Sequence, residues 1–369
     1  MAKLRESTPA LDNQVQGVAN VAKDVKTDYE VQSGYITIEL STNGLVGAPK
    51  RFHARNFDTA DLLNLALSEN EDLPEKVAKM LDNLILEEDV SVLNFHEKEV
   101  VEFLVRLYQA FYSTVLKEVD FPWNEEDIDF LKKQYGENST EFQTRYADLK
   151  AGREKPKVDI DLAAVRTVDI DPATFRTDIY LTEKATGFQA GFSFPRYGDV
   201  VVLRNFILQE FRQRDKEFAN LKEILKFRQD AEQRIRQGED IALGRIPNIP
   251  EFERNKYKEY ETEKSIFTVI AIKALHLIMI DGKDVSNLSL KERMELAQDP
   301  RLDYKMMKVV DDFYKKMNIG LEGKVVMKNP LKGVVELRDY SFRLVDLLQA
   351  IRLYESDEYS IDFEPTHVQ

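Results

Sequence analysis

The sequence predicts an α+β fold dominated by helices, with two β-hairpin-plus-helix units, a helical C-terminal domain and a small β-knuckle. Three observations predict it. A hairpin pattern running into an amphipathic helix occurs twice, each time across an Arg-x-x-Asp hinge, Arg55 to Asp58 and Arg196 to Asp199. Much of the remaining chain spaces its apolar residues three and four apart, the period of a helix with one buried face. Of 369 residues, 43% are hydrophobic and 32% charged, an ordinary folding capacity for two or three domains.

Residues 1–28 mix small and polar side chains with scattered valines, and read as a flexible or partner-ordered arm. The unit over 29–150 opens with the first hairpin. Tyr35 to Leu40 alternates as a half-buried strand, Asn43-Gly44 supplies a turn, and Phe52 to Asp58 forms the return strand and hinge. Asp58 or Thr59 offers an N-cap oxygen to a helix carrying Leu62, Leu63, Ala66 and Leu67. Pro74 opens the next helix where its missing N–H costs nothing, and Val77, Met80, Leu81, Leu84 and Ile85 build its apolar face. Asn94 is read as the cap of a third helix, with Val100, Val101, Leu104, Leu107, Tyr108 and Phe111 as its stripe. Trp123 precedes a further cap at Asn124, and Thr140 to Gln143 has capping-box spacing.

Ala151 to Lys157 reads as a linker, and Val158 to Ile170 as extended chain ended by Pro172. The unit over 158–240 holds the second hairpin, Asp178 to Thr182 and Phe188 to Phe194 around Thr186-Gly187. A long helix from Asp199 to Gln237 follows, and its interleaved charges are the pattern of a protruding or coiled-coil arm. Residues 244–250 break the chain. The domain over 253–369 is expected to hold a helix through Lys264 to Ile280, ended by Asp281-Gly282. Two helices started at Ser289 to Glu292 and at Asp299-Pro300 come next, the last stopping at Gly320. Extended runs at Lys324 to Lys328 and Val334 to Arg338, a helix from Tyr340 to Tyr354 and an acidic tail complete the reading.

A formal net charge of −14 argues against nucleic acid as a partner, because such binding draws its affinity from neutralising phosphates. Zero cysteines remove disulfides, thiolate zinc sites and cysteine nucleophiles. The first residues lack the apolar core of a secretion signal. The apolar stretch Ile266 to Ile280 carries Lys273 and His276 and is too short and polar to span a bilayer, so no membrane partner is expected.

His96-Glu97 begins like a zinc-protease helix, but Val100 stands where the second histidine belongs, which leaves a helix-cap reading. Asp281-Gly282 with Glu292 has the outer spacing of a calcium loop, yet Lys283, Val285 and Ser286 occupy its inner positions. Gly282-Lys283 and Gly323-Lys324 lack the rest of a phosphate loop. The carboxylate pairs Asp127/Asp129, Asp159/Asp161 and Asp169/Asp171 are what chance produces among 66 acidic residues. His276, set between Leu275 and Leu277, reads as a core histidine. No catalytic, cofactor or metal residue is assigned. The residues singled out are the hinge candidates Arg55, Asp58, Arg196 and Asp199, where a guanidinium could bridge a carboxylate or backbone carbonyls and fix the chain's exit angle.

The stretch Phe52 to Phe57 through Asp61 to Ala66, with Asn94 to Val101, resembles tail and baseplate assembly proteins of contractile-tailed bacteriophages, in the T-even-type baseplate hub group. Val325 to Val335 is similar to a knuckle that such proteins can write Cys-Pro-x-Cys-Gly. Here Asn329 and Lys332 stand at the cysteine positions. The knuckle is therefore expected to close by turn hydrogen bonds and by packing of Val325, Val335 and Phe342. The resemblance covers residues 35–120 and, less fully, 175–345. It implies a non-enzymatic tail or baseplate component or assembly factor, without cofactors, located in the virion or in the host cytoplasm during assembly. The partners it implies are other tail or baseplate proteins, the tape-measure protein among the candidates. Two alternatives stand beside it: a metal-assisted hydrolase using clustered carboxylates, and a nucleic-acid accessory factor working through the long charged helix. An enzyme would gather carboxylates or histidines in a concave pocket, whereas an assembly protein would leave an apolar patch exposed.

Overall fold

The computed structural model describes residues 34–58, 60–61, 73–236, 249–344 and 347–348. The expected arm over 1–28, the helix beyond Asp61, the acidic tail and most of the helix after Tyr340 lie outside them. Among the described residues the fold is α+β, with eight α-helices and ten short strands paired in small antiparallel sheets.

In the first hairpin, β1 (Tyr35–Ile38) pairs with β2 (Phe52–Arg55), Tyr35 opposite Arg55 and Ile38 opposite Phe52. Asn43 and Gly44 both take positive φ, 49° and 82°, as a turn with two left-handed positions requires. Two buried carboxylates on α2 (Glu97–Phe111) hold the rest of the loop. Glu99 accepts from the Thr42 hydroxyl at 2.5 Å and from the amides of Gly47, Ala48 and His96, while Glu102 accepts from the amide and hydroxyl of Ser41. On α1 (Leu73–Leu84), Val77, Met80, Leu81 and Leu84 are buried as the apolar spacing predicts. Phe52 lies edge-on to Phe95 and Phe103, at centroid distances of 5.5 and 5.1 Å, in the middle of this core.

The caps differ from expectation by one or two residues. Asn94 ends a single 3-10 turn, Val92–Asn94, capped by Ser91, so the chain is extended again at Phe95 and the His96 ring caps α2. Ser139, not Thr140, caps α4 (Thr140–Lys150), whereas Asn124 caps α3 (Glu125–Tyr135) as expected, with Asp127 closing the box.

A strand that local pattern did not reveal, β3 (Val115–Asp120), pairs with β4 (Lys157–Asp161). The pairing closes across Ala151 to Lys157, which is thus a turn inside one body. The extended reading of Val158 to Ile170 is interrupted by a 3-10 turn at Leu162–Ala164, capped by the Asp161 carboxylate, and the chain is extended again at Val165 and in the bridge at Thr167.

The knuckle strands β9 (Lys324–Lys328) and β10 (Val335–Asp339) turn Val325 and Met327 into the same core, joined by Tyr340, Phe342, Leu347 and Leu348. The first body is therefore completed by the C-terminal part of the chain, and a second body is inserted within it. Its incoming and outgoing segments bond to each other: the Val168 amide donates to the Gly320 carbonyl and the Glu322 amide to the Arg166 carbonyl, both at 2.8 Å, around a Thr167–Leu321 bridge.

The second body centres on a sheet in the order β5 (Asp178–Thr182), β6 (Gln189–Ser193), β7 (Leu277–Ile280), β8 (Lys283–Asp284). The expected helix through Ile280 stops at His276, and Leu277 to Ile280 becomes β7. An apolar run this short suits either state, and pairing with Ala190 to Phe192 decides it. The helices α5 (Tyr197–Arg236) and α6 (Glu251–His276) run antiparallel, with Phe206 on Phe267 and Phe218 on Tyr257 and Tyr260, and with Lys264 paired to Asp215 at 2.6 Å. Ser289 caps α7 (Leu290–Ala297) as predicted. The helix expected at Asp299-Pro300 begins later as α8 (Tyr304–Lys316), capped by Asp303, because Asp299 instead binds Arg301 in a turn. It also stops before Gly320, whose positive φ of 79° serves the crossing beside Lys98.

A Cβ at Gly47 would stand 1.9 Å from the Asn94 carbonyl oxygen, so the loop and the turn touch backbone to backbone. Gly47→Ala is expected to lower stability by about 2–4 kcal/mol, the scale of an unrelieved overpacking, measured as a fall in the urea midpoint at constant m-value.

Candidate functional site: hinges, knuckle and inter-body seam

The two hinges share one device and differ in another. At the first, the Asp61 amide donates to Asp58 Oδ1 at 2.8 Å and the Asp58 amide to Asp61 Oδ2 at 3.0 Å, a reciprocal cap. Arg55 Nη1 donates to Asp61 Oδ2 and to the Asn56 carbonyl, each at 2.8 Å, while Asp58 stands 3.5 Å away. The half-buried guanidinium thus clamps chiefly onto buried Asp61, beyond the predicted partner. At the second hinge the Arg196 amide donates to Asp199 Oδ2 at 3.0 Å, but the exposed guanidinium reaches only Asn94 Oδ1, at 3.5 Å. Only the return half of the cap recurs there, a carboxylate three residues on holding the amide, without the clamp.

The carboxylate pairs are spread among backbone duties. Asp159 accepts from the Glu118 amide, Asp161 from the Ala163 amide and Asp171 from the Ala173 amide, while Asp129 and Asp169 are exposed. Glu292 closes the cap of α7, and Asp281 pairs with Arg301 at 3.1 Å. Among the described residues, no three histidine or acidic side chains converge to hold a metal ion. No helix among them is long and apolar enough to cross a membrane.

At the knuckle, the side chains of Asn329 and Lys332 build a polar lock. Asn329 Oδ1 accepts the amides of Leu331 and Lys332 at 2.8 and 3.1 Å, and its Nδ2 donates to Asp127 Oδ1 at 2.8 Å and to Glu336. Lys332 Nζ and Arg338 Nη2 reach the same Asp127 oxygen at 2.9 and 2.6 Å. Burial alone would raise the Asp127 pKa. The bonds from Lys332, the Asn124 amide, Asn329 and Arg338 outweigh it and hold the carboxyl below its ordinary value. Val325 and Phe342 are buried as expected, but Val335 is 68% exposed, because strand alternation places it on the outer face with Leu337. Asp127, the anion at the centre, was visible in the sequence only as a capping-box residue.

Between the bodies lies an aromatic seam. The His96 ring meets Phe194 edge-on at 5.2 Å, Phe194 stacks on Tyr314 at 4.7 Å, and His276 lies 5.1 Å from Tyr314. The Tyr314 hydroxyl donates to the Ser193 carbonyl at 2.7 Å, and His276 Nδ1 bonds to the same carbonyl at 3.1 Å. The Tyr197 amide donates to the Phe95 carbonyl at 2.6 Å, and Lys98 bonds to Asn318. His96 Nδ1 accepts the Lys98 amide at 3.1 Å, which requires that nitrogen to be unprotonated. Burial, then the Lys98 charge and then His276, push His96 down to about 4.

Apolar side chains are exposed in two groups. Ile266, Val269 and Ile272 follow one another along α6, and Val326, Val334, Val335 and Leu337 share the knuckle. Comparison with protein-family models, curated proteins and solved structures finds no match to this chain.

Two outcomes follow from the geometry. Arg55→Ala should cost about 1–3 kcal/mol, because it leaves Asp61 buried without its cation, whereas Arg196→Ala should stay within about 0.5 kcal/mol; paired urea titrations of the two variants measure the difference. The second concerns acid. His96 has a folded pKa below its ordinary 6.5, so the unfolded chain takes up the proton first. Its contribution to stability is complete above pH 6.5 and drains as pH falls toward 4, by about 3 kcal/mol. His96→Asn, which keeps an acceptor for the Lys98 amide but does not titrate, should flatten the pH dependence of the urea midpoint across that window.

Proposed function

We propose that this chain is a non-enzymatic component or assembly factor of a contractile phage tail or baseplate, acting by docking neighbouring proteins. The observation that carries the docking part is the exposed apolar face of α6, where Ile266, Val269 and Ile272 are grouped and Val269 is 62% accessible. Isolated apolar residues on a surface need no explanation, but grouped ones mark interaction sites. The assignment to a tail or baseplate rests on the resemblance of residues 35–120. Other tail or baseplate proteins, the tape-measure protein among them, are the partners proposed, in the virion or in the host cytoplasm during assembly.

The arm built from α5 and α6 adds support. Its surface alternates sign, as in the pairs Arg214–Glu263 and Lys264–Asp215, and does not form the one-signed basic stripe that nucleic acid requires. The hydrolase alternative draws no support from the carboxylate pairs, whose members cap turns and helices or pair with cations, as Asp127 does with Lys332 and Arg338 and Asp129 with Lys132.

The test is incorporation. Tagged protein should co-purify with tails or with a tail intermediate, and Val269→Asp with Ile266→Asp should reduce that incorporation at least tenfold while leaving the circular dichroism spectrum unchanged. Protein missing from purified tails and from every intermediate, in a phage that assembles normally without it, would overturn the reading.

A further inference from the structure

We infer that the open edge and outer face of the knuckle hairpin are the docking site of this chain's own acidic tail, residues 355–364, added in cis as a third strand beside β10. This inference does not depend on the phage reading.

The hairpin has one buried side and one bare side. Val325 and Met327 point into the core, so alternation sends Val326, Val335 and Leu337 outward, where they are 45%, 68% and 59% exposed. Leu337 lies opposite Val326 and makes one continuous apolar strip, with Lys328 opposite Val335 and Lys324 at the other end of β9. Among the described residues the backbone of β10 also has no partner along its other edge. The Val334 carbonyl and the Tyr340 amide bond toward β9, through the Asn329 amide and the Gly323 carbonyl. The intervening residues Val335, Leu337 and Asp339 therefore aim their amides and carbonyls at the other edge, where no strand pairs among the described residues. An apolar open edge of this kind is a template for another strand.

The tail's sequence matches that template. Tyr359-Ser360-Ile361-Asp362-Phe363 alternates apolar and polar residues with the period of a strand, between Glu358 and Glu364, and Pro365 follows as a terminator. Its apolar side spans about 13 Å from Tyr359 to Phe363, enough to lie alongside Val335 and Leu337 as aromatic and aliphatic cross-strand pairs. Acidic residues bracket that run as lysines bracket the strip. From Glu355 to Glu364 there are five acidic residues and no basic one. The reach is sufficient: Leu348 is buried in the core with Tyr340 and Phe342, which directly follow β10, and six residues at the rise of the helix expected to Tyr354 with five extended ones to Tyr359 span about 25 Å.

The test uses the full chain and reads the amide exchange of Leu337, whose N–H faces the open edge. In the native chain this amide should exchange at least tenfold more slowly than in a tail variant carrying Ile361→Ser and Phe363→Ser, with the difference shrinking in high salt. A fluorescent peptide of residues 353–366 should bind the tail variant, should bind the native chain at least tenfold more weakly, and should bind a Val335→Ser, Leu337→Ser chain no better than a scrambled peptide does. Equal exchange in native and tail-variant chains, or equal peptide binding to all three, would overturn the inference. So would protection that appears only as concentration rises together with dimer formation, since the tail would then sit on a second copy.

Discussion

Glu99 is the side chain on which most of the first body turns. It sits on the first turn of α2, fully buried, and collects a hydroxyl and three backbone amides, none of them a cation. Burial raises its pKa, and the bonds from Thr42 and from the His96, Ala48 and Gly47 amides offset part of that penalty. A buried carboxylate is costly unless its lone pairs are filled, so the loop over 39–51 must close upon it. By bonding the His96 amide, the same carboxylate completes the cap that places the His96 ring in the seam. Loop, helix start and contact with the second body thus share one anion.

The periodic parts of the chain were legible in the sequence, and the parts decided by distant partners were not. Both hairpins, the apolar face of Val77 to Leu84 and the cap at Asn124 follow from local chemistry, and the structure has them. The strand β3 carries Lys117, Glu118 and Asp120 among its six residues and is a strand because β4 pairs with it. Leu277 to Ile280 read as helix because an apolar run has no period of its own; its state was chosen by β6. Glu99, Glu102 and Asp127 were invisible as core residues for a related reason, since a carboxylate on a helix is ordinarily solvated unless donors from elsewhere in the chain surround it.

Of the hinge residues, the sequence located the N-cap oxygen of Asp58 and overestimated the symmetry of the arginines. Asp58 accepts the Asp61 amide, whereas Asp199 reaches back to the Arg196 amide, a bond that its spacing had suggested for the guanidinium and not for the backbone. The guanidiniums differ because burial differs: Arg55 finds Asp61 in a half-buried site, whereas Arg196 faces solvent. The knuckle makes a parallel point. Asn329 and Lys332 bring an amide and an ammonium to the turn, and Asp127, just over two hundred residues upstream in sequence, supplies the opposite charge.

The paired crossing at Thr167 and Leu321 has a mechanical consequence. A single tether would let the second body swivel, but two strands bonded to each other resist torsion, so the joint works as a plate and not as a swivel. α5 leaves from the seam beside it and runs for 40 residues, about 60 Å at the helical rise. Its first residue is bonded directly to the first body, the Tyr197 amide on the Phe95 carbonyl at 2.6 Å, so the near end of the longest helix is pinned one residue before the His96 cap.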